Sequence, residues 1–209
     1  MVSRFRPEPA AGNVPAERTA VLLCNLGTPD APTAAATRRY LAEFLSDPRV
    51  VEIPAILWKP LLHGVILRTR PAKSAAKYQT VWMPEGSPLL VWTEKQATLL
   101  HGWLGEAGHN VLVHAAVRYG NPSIASQLDA MKAQGVRRVL VLPLYPQYSA
   151  TTTSSVVDAV NAWCATARDI PELRMVRNYH NDPGYIAALA ASVRKYWLAN
   201  GRADKLVMS

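Results

Sequence analysis

The residues best suited to ligand chemistry follow the ends of apolar segments. Arg118 and Tyr119 come directly after residues 111–117, an apolar run that predicts a strand. In a parallel α/β sheet, ligands bind outside the carboxyl ends of the strands. A guanidinium and an aromatic ring at such an end can hold and stack on a flat, anionic ligand. The alternative is an arginine paired with a surface carboxylate, but the position favours a functional role.

A second polar cluster follows the apolar run at 136–142. The chain continues as PLYPQYSATTTSS, in which Tyr145 and Tyr148 precede a run of hydroxyl side chains at a predicted helix start. Six of the seven residues at 149–155 carry a hydroxyl, more than one N-cap requires. Free N–H groups and the helix dipole there favour a carboxylate or phosphate. Redundant N-capping is the alternative interpretation.

The loop after the first apolar run, NLGTPD at 25–30, carries no cofactor fingerprint. Gly27 lets the backbone approach a ligand closely, although a tight turn without function explains the loop equally well. Neither GxGxxG nor GxxxxGK[ST] occurs in the sequence. A nucleotide-binding α/β protein is therefore a distant alternative.

A further candidate region combines apolar and cationic residues. The segment 50–67 is rich in apolar residues, and Arg68, Arg70 and Lys73 follow it. This arrangement suits an amphipathic ligand or a membrane surface, and the alternative is a helix end with solvated charges. Prolines and charged residues interrupt the segment, so it does not predict a membrane span.

The composition argues against a metal-binding, nucleic-acid-binding or secreted protein. Five histidines and two cysteines occur without HExxH or CxxC spacing, so we expect no metal site and no cofactor held by this chain. The net charge is +8, but the basic residues are scattered and no DNA- or RNA-binding signature occurs, which argues against nucleic acid. The N-terminus lacks the apolar core of a secretory signal, so a cytoplasmic protein is the default expectation.

Alternating strands and helices would position these residues. Strands are predicted at 19–26, 111–117, 136–142, 173–178 and from 205 onward, and helices at 33–46, 72–81, 89–107, 122–134, 151–168 and 182–200. The segment 50–70 predicts short, Pro-interrupted helical pieces, and Asn121-Pro122 predicts an N-cap followed by the first helical residue. After a flexible tail at 1–18, the pattern predicts an α/β fold with a doubly wound parallel sheet.

Taken together, the loops resemble the ferrochelatase family. The similar segments are LLCNLGTPDAPT at 22–33, RTRPAKSAAKY at 68–78, EGSPLLVWTEKQ at 85–96, VRYGNPSI at 117–124 and VLPLYPQYSATTTSS at 141–155, in the family's order and spacing. The resemblance covers residues 19–209 and corresponds to the N-terminal two-thirds of a ferrochelatase. It implies a chelatase-like, Rossmann-like lobe at 19–176 with a lip at 50–70, and the start of a second, similar lobe at 177–209.

The resemblance implies a function and a set of site residues. The implied reaction inserts ferrous iron into protoporphyrin IX to form protohaem, the last step of haem biosynthesis. Arg118 and Tyr119 match the active-site pair on the wall that faces the family's catalytic histidine. The expected substrate-binding residues are Leu26, Arg70, Tyr78, Ser87 and Tyr145 from the resemblance, and Ser149 from the hydroxyl run. Leu26 stands where relatives carry Met, Tyr or Leu, and a leucine side chain cannot ligate iron.

The resemblance also implies that the catalytic histidine and its acidic partner lie beyond Ser209, so this chain alone is expected to be inactive. The segment 50–67 matches the lip that relatives rest on a membrane, which implies peripheral contact at the inner membrane face. Two interpretations stay open beside it. One is a truncated lobe that binds porphyrin without turnover. The other is a chelatase for another metal or tetrapyrrole, although cobalt and nickel chelatases usually lack the YPQYS run.

Overall fold

Four parallel strands form the centre of the fold. In a computed structural model that describes residues 5–8 and 17–207, the strands are β1 (Arg18–Gly27), β2 (Val111–Tyr119), β3 (Val136–Pro143) and β4 (Glu172–Met175). Their order in the sheet is β2-β1-β3-β4, and every pair is parallel. The order reverses between β1 and β3, which is the point at which ligands bind in such sheets.

Helices cover both faces of this sheet. Leu22 and its even-numbered neighbours in β1 pack under α5 (Ile124–Ala133) and α6 (Ser155–Cys164). Leu23 faces the opposite way and packs with Ala97 of α4 (Pro88–Glu106). Because side chains alternate along a strand, one apolar run supplies both cores. The predicted doubly wound parallel α/β sheet is confirmed.

A helical layer connects β1 to α4. Helix α1 (Ala34–Phe44) begins at Thr33, whose hydroxyl accepts a hydrogen bond from Ala36 N. Helix α2 (Ala55–Leu61), a π-helical turn (Leu62–Ile66) and α3 (Leu67–Val81) then follow without a break. The predicted separation into short pieces at 50–70 and a helix at 72–81 is therefore wrong. The prolines at 60 and 71 each remove an N–H donor but lie inside α2 and α3 and do not end them.

The start of α5 also differs from the prediction. Asn121-Pro122 is a cis peptide in the loop, and Ser123 is the N-cap, with its hydroxyl accepting a hydrogen bond from Ser126 N. The Pro122 carbonyl instead accepts a hydrogen bond from Val117 N at 2.8 Å, which holds Pro122 beside β2 and outside the helix. The hydrogen bond between Val117 of β2 and Pro122 therefore outweighs the capping tendency of the Asn-Pro pair.

Other boundaries moved by a few residues. Strand β2 includes Arg118 and Tyr119, which are its last residues and do not follow it. Helix α6 ends at Cys164 and not at Arg168, while β4 begins and ends earlier than predicted. Of the predicted tail, residues 1–4 and 9–16 lie outside the described residues. In the described part, Arg6 donates a hydrogen bond to the Thr166 carbonyl at 2.9 Å.

By its internal contacts the chain divides into two compact units, 1–177 and 178–209. The second unit contains α7 (Pro183–Asn200), which begins where the Asp182 carboxylate accepts a hydrogen bond from Tyr185 N at 2.9 Å. Residues 205–207 are irregular, so the predicted strand is wrong there, and residues 208 and 209 lie outside the described part. A strand needs a hydrogen-bonded neighbour, and residues 178–207 contain no other strand.

The ends of β1 and β2 approach closely at Gly27. Its φ is +119°, and a Cβ atom there would overlap the carbonyl oxygen of Tyr119. We expect Gly27→Ala to lower the free energy of unfolding by about 3 kcal/mol or more, measured by urea denaturation. Gly64→Ala is the matched control, because a Cβ there meets open space in a helical turn. Equal stability of the two variants would contradict this account of the strand ends.

Candidate active site

Arg118 lies at the carboxyl end of β2 and is held by groups from two other parts of the chain. Its Nη2 donates a hydrogen bond to Asp47 Oδ2 at 2.8 Å. Its Nε donates to Ser155 Oγ at 2.7 Å and to the Ser155 carbonyl at 2.9 Å. Its guanidinium carbon lies 4.5 Å from the centre of the Tyr119 ring. The Arg118 side chain is 19% exposed, so it is not fully buried.

Asp47, the partner of Arg118, lies just after α1 and is almost fully buried, with a side chain only 3% exposed. Its Oδ2 also accepts hydrogen bonds from Tyr119 Oη at 2.7 Å and Ser155 Oγ at 2.6 Å. Its Oδ1 accepts a hydrogen bond from Arg49 N at 2.7 Å. The sequence-based alternative of a surface ion pair for Arg118 is therefore wrong, because this carboxylate is a buried one.

The pKa of Asp47 follows from this environment. Burial raises the pKa, but the hydrogen bonds from Ser155, Tyr119 and the Arg49 N–H, together with the charge of Arg118, outweigh burial. The net pKa is lower than the usual value, so Asp47 is ionised near neutral pH. Burial raises the pKa of Tyr119 to about 12, so this phenol keeps its proton. The network therefore pairs an anion with a cation and two neutral hydroxyl donors.

Apolar and aromatic side chains surround the network. Leu26 and Tyr78 are half-buried and pack in one cluster with Tyr40 and Tyr119. The Tyr78 ring meets the Tyr40 ring edge-on, with centroids 6.4 Å apart. Tyr119 itself is fully buried, and its ring meets that of Phe44 edge-on at 5.1 Å. Three of the predicted site residues, Leu26, Tyr78 and Tyr119, thus lie together at the carboxyl ends of β1 and β2.

Tyr145 follows β3 at the same edge of the sheet. Its hydroxyl is a buried atom without a hydrogen-bond partner among the described residues. Burial raises the pKa of this phenol, so it too keeps its proton. Because buried polar groups are nearly always paired, this hydroxyl is a candidate for contact with a ligand or an ordered water.

The hydroxyl side chains at 149–155 have different roles in the structure. Ser149 is exposed and is the N-cap of a π-helical turn (Ala150–Ser154), with its Oγ accepting a hydrogen bond from Thr151 N at 3.3 Å. The capping interpretation therefore accounts for Ser149. Ser154 Oγ lies 2.6 Å from Tyr148 Oη, and Ser155 belongs to the Asp47 network. Sequence reasoning singled out the run but not Ser155 within it.

The remaining predicted residues lie apart from the network. Arg70 is exposed on α3, and its side chain makes no hydrogen bond with the part of the chain that the structure describes. Ser87 is the buried N-cap residue of α4, and its side chain makes no capping hydrogen bond.

No sequence motif marked Asp47, and its only local signal was the Asp-Pro pair after a predicted helix. Across residues 5–8 and 17–207, no cluster of three or more His, Cys, Asp or Glu side chains suits a metal ion.

The four-stranded parallel sheet with helices on both faces has the architecture of a Rossmann-like lobe. Residues 18–209 match the sequence profile of the Ferrochelatase family, and the chain belongs to that family. It is 67% identical over 206 residues to the ferrochelatase of Methylibium petroleiphilum and 65% identical over 209 residues to that of Polaromonas sp.. These matches cover 99% and 98% of this chain, but it spans only 57% of the length of either relative. The resemblance drawn from the loops is confirmed.

The lowered pKa of Asp47 makes a prediction about stability. A carboxyl whose pKa is lower in the folded state stabilises the fold above its unfolded pKa and loses that effect as the pH falls through the folded pKa. We therefore expect Asp47→Asn to lower the free energy of unfolding by about 3 kcal/mol at pH 7. The difference from wild type should shrink as the pH falls below 3.8, the ordinary Asp value.

Urea denaturation at a series of pH values between 3 and 7 measures this difference. Asp204→Asn is the control, because that exposed carboxyl has no hydrogen bond with any described residue. A stability difference between Asp47→Asn and wild type that stays constant over this pH range would show that the charge of Asp47 is not what matters.

Proposed function

We propose that this chain forms the arginine-bearing wall of a ferrochelatase active site. The proposed reaction inserts ferrous iron into protoporphyrin IX and yields protohaem, the last step of haem biosynthesis. The observation that carries the proposal is the fixed guanidinium of Arg118 at the carboxyl ends of the strands, in a chain whose family is ferrochelatase. The two ferrochelatases to which the chain is similar support the same activity.

The chemistry of metallation explains why such a wall is needed. Porphyrin is a flat, apolar ring with carboxylate side chains, and two pyrrole protons must leave before iron binds the four nitrogens. The ring must also bend so that the metal can reach them. A rigid wall that fits the bent ring better than the flat one lowers the barrier by binding the transition state. Leu26, Tyr78 and Tyr145 supply apolar surface for this wall.

Arg118 is proposed to orient the porphyrin or the approaching metal, and not to act as the base. A guanidinium stays protonated near pH 7, and the phenols of Tyr119 and Tyr145 keep their protons. The Asp47 carboxylate already accepts four hydrogen bonds and is buried. The pyrrole protons must therefore pass to a base outside this network.

The carboxylates of the porphyrin need cationic or hydroxyl partners. Arg70 is exposed on α3 and is proposed to bind one of them, as a guanidinium binds a carboxylate through two parallel hydrogen bonds. Ser87 and Ser149 are proposed as additional hydroxyl contacts, although Ser149 already caps the helix before α6. Arg70 and Ser87 are assigned from the family resemblance, and Ser149 from the hydroxyl run and its exposure.

We also propose that the lip contacts the surface of the inner membrane. On α2 and the π-helical turn, Ile56, Leu57 and Val65 are 83%, 67% and 52% exposed. Lys59 on α2 and Arg68 at the start of α3 are also exposed and can approach anionic headgroups. No helix in the described residues is long and apolar enough to cross a membrane. An exposed apolar patch with cationic neighbours fits contact from one side.

The function of Arg118 is tested in the full-length gene product. Arg118→Ala would leave the buried Asp47 charge unpaired, so loss of stability is expected from it as well as loss of activity. Arg118→Lys keeps the charge but lacks the planar fork, and we expect it to lower kcat/KM by about tenfold or more. The measurement is steady-state metallation of protoporphyrin IX by ferrous iron, followed by absorbance, with thermal melts alongside.

Arg39→Lys is the matched control for this variant, because Arg39 forms an exposed ion pair with Asp30. It should retain wild-type kinetics. Wild-type kinetics in Arg118→Lys would remove Arg118 from the active site. A wild-type protein that inserts cobalt or nickel and not iron would reassign the metal.

The lip is tested with vesicles that contain anionic lipid. We expect the double substitution of Ile56→Ser and Leu57→Ser to weaken vesicle binding at least about tenfold in a sedimentation assay, because two exposed apolar side chains would no longer enter the interface. Leu99→Ser is the control, since Leu99 is 72% exposed on α4, away from the lip. Equal weakening by the control would show that the contact is not specific to this patch.

A further inference from the structure

We propose that Asp47 is a positioning residue for metallation, which fixes the guanidinium of Arg118 in one orientation. This inference rests on the proposed function, because it assigns Asp47 a part in the reaction to which Arg118 contributes. Asp47 does not touch the substrate in this proposal. It acts through Arg118, together with Ser155.

The guanidinium of Arg118 is held along two of its edges. Asp47 accepts a hydrogen bond from Nη2, and Ser155 accepts two from Nε through its hydroxyl and its carbonyl. The Tyr119 ring lies against the guanidinium and restricts its rotation out of plane. Nη1 makes no hydrogen bond with any residue in the described ranges, so its two N–H groups remain available. A planar group held in this way presents those donors in a fixed direction.

The hydroxyl protons of the network show that the carboxylate sets its arrangement. Tyr119 and Ser155 each have one hydroxyl proton, and both oxygens lie within 2.7 Å of Asp47 Oδ2. Because a carboxylate accepts only, both protons point to Asp47. Ser155 Oγ is then free to accept from Arg118 Nε at 2.7 Å. The charge of Asp47 therefore orients Ser155 as well as Arg118.

An amide at position 47 cannot reproduce this pattern. If its NH₂ group replaced Oδ1, it would face the N–H of Arg49, which is a donor. If the NH₂ group replaced Oδ2, it would face three donors, from Arg118, Tyr119 and Ser155. Either orientation sets donor against donor, so Asp47→Asn should release the guanidinium while changing the side-chain volume very little.

A double-mutant cycle in the full-length gene product separates positioning from general stability. We expect Asp47→Asn to lower kcat for ferrous iron and protoporphyrin IX by about tenfold or more, the fold-change expected when a hydrogen bond to a charged group is lost. In an Arg118→Lys background, the same substitution should lower kcat by less than about twofold, because the group it orients is already altered. All rates are measured at a temperature well below every melting transition.

Asp129→Asn is the matched control for Asp47→Asn. Asp129 also accepts hydrogen bonds from an arginine and from a second donor, Arg6 Nη1 at 2.5 Å and Trp163 Nε1 at 2.8 Å, but it lies on α5. We expect its substitution to lower the melting temperature and leave kcat unchanged. A fall in kcat with Asp129→Asn as large as that with Asp47→Asn would overturn the inference, because it would tie kcat to stability.

The cycle also separates this inference from the proposed function. Equal effects of Asp47→Asn in both backgrounds, or wild-type kinetics of Asp47→Asn, would overturn the positioning role while the proposed function stands. A wild-type protein that does not metallate porphyrin would overturn the proposed function before any variant is compared. If Asp47→Asn does not fold, Ser155→Ala takes its place in the cycle, and additive effects with Arg118→Lys would then overturn the inference.

Discussion

The buried charge of Asp47 is the constraint on which the rest of the active-site edge depends. A carboxylate that is 3% exposed is stable in its ionised form only when donors surround it. The four donors come from Arg49 beside it in the chain, from the end of β2 and from the start of α6. Since no single element can supply them, α1 and α6 must both approach the end of β2 for the charge to be compensated.

This requirement makes the carboxyl edge of the sheet rigid where a ligand would meet it. Gly27 and Tyr119 bring β1 and β2 into close contact, and α1 packs its Tyr40 against the same point. Arg118 therefore projects from an edge strand that pairs with β1 on its one neighbouring side. Such preorganisation matters for the proposed metallation, in which a flat ring must bend, because a wall that yields to the flat ring gives no preference for the bent one.

Much of this fold could be predicted from the sequence, because β1, β2 and β3 each contain an apolar run. The position of Arg118 and Tyr119 at a strand end was enough to identify them as candidates. Asp47 was not predictable, since Arg118 and Ser155 lie 71 and 108 residues away along the chain. The N-cap assigned to Asn121 was wrong for a similar reason, because a backbone contact between Val117 and Pro122 outweighs the local motif.

The residues beside Asp47 also make contact with the lip. Two residues before Asp47, the Leu45 carbonyl accepts a hydrogen bond from Trp58 Nε1 of α2 at 2.7 Å. Two residues after it, Arg49 forms an ion pair with Asp158 of α6. Asp47, the Leu45 carbonyl that binds Trp58 of the lip and Arg49 thus lie within five consecutive positions. Because these positions share one backbone, a displacement of Leu45 together with the lip would also move the Asp47 carboxylate. The placement of the lip and the orientation of Arg118 therefore depend on each other.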